Sequence, residues 1–390
     1  MSDRAGPDAE IDPELDVELD ADPTAQPIES KDGEVELFDI DPDAEIVATS
    51  YEITSYGADY DVEGLVRRMR KQDIIVPSFD PANPGVDVGA FQRGFVWRPS
   101  QMSRFVESLL LGLPVPGIFL VRDRNNRLLV LDGQQRLRTL EMYYEGRIGD
   151  RVFRLQGVQE PFNGSSYEDL RPEDRRRLDD SIIHATVLRD ESASGSQNAV
   201  YSIYERLNTG GSPLQPQEIR IALFEGEFLR GISKLNEDAS WRDLYGPRST
   251  RFRDHELILR VLALYEWQQQ YRKPLKTFLN DYLSAHRDAA LSAESGTGKL
   301  FIQAIQAIDS TLGKSAFRPE RALNVAFVDS IVVGVMRRID SGLPWRDGQL
   351  AAAFASLSED EEFVSATNVR TSDEDHVTLR LEKATMAFAG

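Results

Sequence analysis

Apolar positions first repeat at the helical period over Val62 to Lys71, then compress into a short strand at Ile74-Ile75-Val76-Pro77. Pro99 and Ser100 open a second helix that runs through Leu111, with Met102, Phe105, Val106, Leu109 and Leu110 on one face and Gly112 as its stop. Gly117 to Arg122 and Arg127 to Asp132 are apolar runs around the turn-forming cluster Asp123-Arg124-Asn125-Asn126, the pattern of a β-hairpin. The second run feeds directly into Gly133 and a helix expected to reach Tyr144. Leu137, Leu140 and Tyr144 stand at core spacing in that helix, and Gly146 lies just past its end. Val152 to Leu155 and Ile182 to Leu188 read as further strands.

Asp190 to Gln197, DESASGSQ, is a small polar linker and the expected domain boundary. Beyond it the period is helical almost throughout: Val200 to Leu207, Ile219 to Leu223, Leu257 to Trp267, Leu275 to Leu283, Leu300 to Leu312 and Asn324 to Ile339. The pattern predicts an α+β protein with an α/β domain over 49–190 and a mainly α-helical domain over 197–390.

Composition changes this picture at one end. Residues 1–48 hold 17 Asp or Glu against Arg4 and Lys31, so −15 of the total charge of −20 sits there and residues 49–390 are near balance. With five prolines and almost no aromatic residue, this acidic tail is expected to be disordered. The chain has no cysteine, which excludes disulfides, thiolate metal sites and a cysteine nucleophile. His184, His255, His286 and His376 lie far apart without ligand spacing, which argues against structural zinc. No apolar run approaches the roughly 18 residues of a membrane span, and the acidic start lacks the form of a signal peptide, so a cytoplasmic location is expected.

The candidate chemistry centres on Leu131-Asp132-Gly133-Gln134-Gln135-Arg136. A strand that ends here and opens a helix presents backbone N–H groups and the positive end of the helix dipole to an anion. Arg136 and Arg138 occupy the first turns with no acid before Glu141, against the dipole preference. A bound phosphate would reverse that cost, with the arginines forked onto its oxygens and Gly133 allowing close backbone approach. Equally, the two arginines could pair with surface acids while Asp132 merely caps the helix.

Gln92 and Arg93, in GAFQRGFVW, stand among aromatics that could stack a base. Asn208 and Gly210, in YERLNTGG, lie where a helix runs into a glycine loop that could nest an anion. Glu294 to Leu300, ESGTGKL, looks like a P-loop but lacks its first glycine, its Ser or Thr and a preceding strand, so it reads as an inter-helix loop.

Taken together, FQRGFVW, ESLLLGLPVP, VLDGQQRLRTL, YERLNTGGSPLQPQEIRIAL and FRDHELILRVLAL, in this order, resemble the N-terminal domain family of GmrSD-type restriction endonucleases. The resemblance implies a ParB/sulfiredoxin-like fold and places a nucleotide-handling DGQQR motif on Asp132, Gly133, Gln134, Gln135 and Arg136. It further implies a nucleotide-binding, NTP-hydrolysing component of a restriction or phage-defence system that senses DNA, including modified DNA. The cofactor would be an NTP with Mg²⁺. In this reading Asp132 is the metal ligand and, with Gln135 and Arg136, catalytic. Gly133, Gln134, Arg138, Gln92, Arg93, Asn208 and Gly210 would bind nucleotide.

Many relatives carry an HNH nuclease domain whose histidine pattern is not found here, so a stand-alone member working with a nuclease or methyltransferase partner is expected. The alternatives are a non-catalytic DNA-binding module of a restriction complex and, third, a Mg²⁺-dependent nuclease.

Overall fold

A computed structural model describes the backbone of residues 28–29 and 35–37 and residues 53–77, 97–123, 126–190, 198–207, 215–319 and 322–389. The first half comprises β1 (Ile28–Glu29), β2 (Val35–Leu37), β3 (Ile53–Asp61), α1 (Val62–Arg70), β4 (Ile74–Ile75), α2 (Pro99–Leu110), β5 (Ile118–Arg122), β6 (Leu128–Asp132), α3 (Gln134–Glu145), β7 (Arg147–Ile148), β8 (Arg151–Val152), α4 (Pro172–Asp179) and β9 (Ile182–Asp190). The second half comprises α5 (Asn198–Leu207), α6 (Pro216–Leu223), α7 (Glu227–Leu235), α8 (Ala239–Tyr245), α9 (Arg253–Trp267), α10 (Leu275–His286), α11 (Gly296–Leu312), β10 (Leu323–Asn324), α12 (Val325–Asp340), α13 (Gln349–Ser358), α14 (Glu361–Asn368) and α15 (Glu374–Ala389). The expected α+β class holds. Among the described residues no helix is long and apolar enough to cross a membrane.

Five strands form a mixed sheet in the order β3-β9-β5-β6-β4. β5 and β6 are the expected antiparallel hairpin, and β9 runs parallel to β5 and antiparallel to β3. Alternation of side chains puts Ile118, Leu120, Leu128, Val130, Ile183, Ala185 and Val187 into one core with α1 to α4. The alternate residues Val121, Leu129, Leu131 and Leu188 belong to the core that continues through the helices from α5 to α15.

Three expectations need correction. Tyr143, not Tyr144, is the buried aromatic of α3, and the Tyr144 hydroxyl instead donates to Asp179 at 2.5 Å. Glycines 296 and 298 of the P-loop-like segment belong to the first turn of α11, and Gly298 packs so tightly on the Ser292 carbonyl that a Cβ would lie 2.3 Å from it. The acidic tail was expected to be disordered, but at two short strands it pairs with β structure: β1 runs antiparallel to β2, and β2 runs parallel to β10. Val35 and Leu37 are β-forming residues, and β10 offers them a ladder. The rest of 1–48 and the linker 191–197 lie outside the described residues.

The helical core contains charge where hydrophobic patterning gives no hint of it. Arg260 donates from Nε and an amino group to Asp329 Oδ2 at 3.2 and 2.9 Å. Arg380 bonds the other oxygen of Asp329 and donates to the Ala326 carbonyl at 2.8 Å and the Ser330 hydroxyl at 2.7 Å. Asp254 forms a second buried knot, accepting from Asn236 and Arg242 at 3.0 Å each and facing His255 at 3.0 Å.

Burial alone would raise the Asp254 pKa, but His255, Arg242 and Asn236 outweigh it and hold the carboxyl at about 2 against an ordinary 3.8. A depressed folded-state value means the stabilisation is complete above the unfolded value and vanishes as pH falls through the folded one. The urea midpoint is therefore expected to fall steeply between about pH 4 and pH 2. Asp254→Asn is expected to flatten that limb, and an unchanged slope would count against this role.

Candidate phosphate-binding turn

Strand β6 delivers Asp132 to the end of the sheet, and Gly133 turns the chain into α3 with φ +98°. A Cβ at residue 133 would lie 2.4 Å from Ile118 Cγ2 and 3.0 Å from Ile118 Cβ. Glycine is thus required twice, once by backbone conformation and once by packing on β5. That packing face is closed by Ile118, which differs from the expected role of opening the backbone to a ligand.

Helix α3 starts with neither a side-chain cap nor an acidic residue in its first turn. A helix N-terminus in this state presents its N–H groups and positive dipole end to solvent or to an anion.

Arg136 is only 13% exposed, and one amino group donates both to Asp132 Oδ2 at 2.6 Å and to the Gly117 carbonyl at 3.0 Å. Its Nε is buried with no hydrogen-bond partner among the described residues. The guanidinium therefore stitches the start of β5 to the end of β6. Asp132 stays 44% exposed beside it.

The other motif residues tie the turn to its surroundings. The Gln134 amide donates to the Tyr204 hydroxyl of α5 at 2.8 Å, and Gln135 Oε1 accepts the Trp97 backbone N–H at 3.2 Å. Tyr204 is fully buried, and that burial raises its hydroxyl pKa. Tyr204→Phe removes the only printed side-chain link between α3 and α5 and is expected to lower stability by about 1 kcal/mol in urea titration. A loss near zero would mean the contact is incidental.

Arg138 does not join the turn. Two residues beyond Arg136 on a helix is about 200° of rotation, so it points away, pairing with Glu141 at 3.0 Å and donating to the Val76 carbonyl at 3.3 Å. There it lines a cavity of about 110 Å³ with Ile75, Leu129 and Ile221, between the sheet edge and α6. Gln92, Arg93, Asn208 and Gly210 lie outside the described residues.

Sequence reading overlooked a neighbour of the turn. His184 Nδ1 sits 2.5 Å from Asp59 Oδ1 across β9 and β3, both exposed, and the His184 carbonyl would be 2.7 Å from a Cβ on Gly117. The alternation of Ile183, His184 and Ala185 was the available signal, since it places the histidine on the face opposite the apolar core. Among the described residues no group of three or more His, Cys, Asp or Glu could hold a metal ion.

Residues 70–225, from the end of α1 through α6, match the family described as the N-terminal domain of the GmrSD restriction endonuclease. No curated protein matches the chain.

Proposed function

Because residues 70–225 belong to the GmrSD restriction endonuclease N-terminal domain family, the chain is a restriction-system component, and we propose that it binds and hydrolyses a nucleoside triphosphate at the Asp132–Arg136 turn. In this proposal hydrolysis is coupled to sensing DNA and licenses a nuclease or methyltransferase partner. The observation that carries the reading is an exposed carboxylate and a fixed guanidinium beside a helix N-terminus that has neither acid nor cap.

The first turn of α3 would hold phosphate oxygens through its N–H groups. Arg136, anchored by Gly117 and Asp132, keeps positive charge within reach without having to be ordered on binding. Asp132 has Oδ2 committed to Arg136, while Oδ1 has no hydrogen-bond partner among the described residues and could orient a water for attack.

A single carboxylate plus substrate phosphates is a common Mg²⁺ donor set, and Asp132 fits it. When bound, the ion would neutralise charge on the phosphates. Gln134 and Gln135 act here as positioning residues, since their amides already fix α3 to Tyr204 and Trp97.

Equilibrium binding of a fluorescent NTP with Mg²⁺ tests the site. Asp132→Ala is expected to weaken binding at least about tenfold, the equivalent of one charge-assisted contact. Unchanged affinity would remove Asp132 from the site. Salt-dependent DNA binding that persists without nucleotide and with Mg²⁺ chelated, together with no NTP binding, would favour the DNA-binding module instead.

A further inference from the structure

We propose that the open edge of β3 is a homodimer interface, on which a second copy of this chain adds its own β3 antiparallel to make one continuous sheet across both molecules. β3 stands at the end of the sheet order and pairs only with β9, in unbroken register from Ile53↔Asp190 to Asp61↔Ile182. Its other side therefore presents backbone N–H and C=O groups that no strand takes up among the described residues.

Exposed edges of this length are usually blunted by brevity, lysine, proline or a bulge. The opposite edge of the same sheet follows that rule, since β4 is two residues long. β3 is nine residues long, ITSYGADYD, with no lysine, arginine or proline and no break in its ladder. Most of it is exposed, including Tyr56 at 43%.

The sequence of the strand selects a second copy and an orientation. Both acids, Asp59 and Asp61, lie in its second half, and hydroxyls and Ile53 fill its first half. A parallel in-register partner would set Asp59 on Asp59 and Asp61 on Asp61, an unfavourable stacking of like charges. Antiparallel pairing about Gly57 instead sets Asp59 against Ser55, Asp61 against Ile53 and Tyr56 against Ala58 of the second copy. The strand is complementary to itself, as a two-fold interface requires. Gly57 falls on the axis, and a Cβ there meets nothing within 4 Å, so two backbones can approach and a side chain can be added without disturbing the monomer.

The natural absence of cysteine makes the test clean. Residues directly opposite in an antiparallel pair have Cα atoms roughly 4.5–5.5 Å apart, within disulfide range. Gly57→Cys is therefore expected to cross-link into a dimer under oxidised glutathione, while Met386→Cys, equally exposed but off the edge, is not. Light scattering is expected to give a dimer mass for the natural protein. Gly57→Lys, which sets two like charges face to face, is expected to raise the dimer dissociation constant by about tenfold or more. A monomer mass for the natural protein, or a dimer that Gly57→Lys leaves intact and Gly57→Cys fails to link, would overturn the proposal.

Discussion

Asp329→Ala is expected to unfold the helical half of the protein or to lower its stability by about 3–5 kcal/mol, a large share of the roughly 5–15 kcal/mol typical of a folded chain. Asp329 is fully buried and shares its two oxygens between Arg260 and Arg380. Neither guanidinium can shed its proton to escape, and Arg380 already has Nε and one amino nitrogen buried without partners among the described residues. Removing the carboxylate leaves two uncompensated cations between α9, α12 and α15.

Asp329→Asn keeps acceptor geometry but loses the charge, so its loss should be smaller and of the same sign. Replacing all three residues by apolar side chains of similar volume should recover much of the loss, because the cost lies in the unpaired charge rather than in missing contacts. Urea unfolding followed by circular dichroism reads all three. A single Asp329→Ala protein with a natural midpoint would show that the charge cluster is not what holds these helices.

Gly133→Ala is expected to cost roughly 2–5 kcal/mol, combining about 1–2 for a left-handed backbone with about 1–3 for overpacking. The overpacking arises because the new methyl would sit 2.4 Å from Ile118 Cγ2 and 3.3 Å from an Arg136 amino nitrogen. Relief should be partial and specific: adding Ile118→Ala to Gly133→Ala should return the packing part but not the backbone part. Each change disturbs the same contact, so their effects should not add. Full additivity in a double-mutant cycle would contradict the packing account. Since the same methyl would press on Arg136, nucleotide binding should fall together with stability.

How much of this could be read from the sequence depends on the range of each interaction. The β5–β6 hairpin, α2 and α3 were legible because their period, turn residues and helix stops lie within a few positions of one another. The strand-to-helix turn at Asp132 was legible for the same reason. Placement of Arg138 was also available, because two residues along a helix cannot share one face with Arg136. Tyr143 rather than Tyr144 packs inward because it meets Phe153 and Tyr167, which follow α3 by ten residues or more.

What escaped was long-range. β9 lies between β3 and β5, so its partners sit about 60 to 130 positions away in sequence. Arg136 is held by a backbone carbonyl, Gly117, which carries no side-chain signal at all. Gln134 finds its partner 70 residues on, in Tyr204.

The conserved-looking motif segments carry structure as well as candidate chemistry. In QEIRIAL, Glu218 pairs with Arg251 at 2.8 Å and buried Arg220 pairs with Glu256 at 3.0 Å, fastening α6 to α9 and the segment before it. In FRDHELILRVLAL, Asp254 and Arg260 anchor the two buried charge knots. Hydropathy places arginine outside, so these roles are invisible until the acids that neutralise them are seen across the core.

The central claim is that the Asp132–Arg136 turn handles a nucleoside triphosphate, and phosphate release tests it most directly. Purified protein would be assayed with ATP, GTP, CTP and UTP in Mg²⁺, with and without DNA, beside Asp132→Asn and Arg136→Ala proteins whose folding is checked by urea titration. The account predicts turnover of at least one nucleotide by the natural protein and its loss in both variants while the fold persists. Turnover retained by folded Asp132→Asn and Arg136→Ala proteins, or no turnover of any nucleotide with or without DNA, would contradict it.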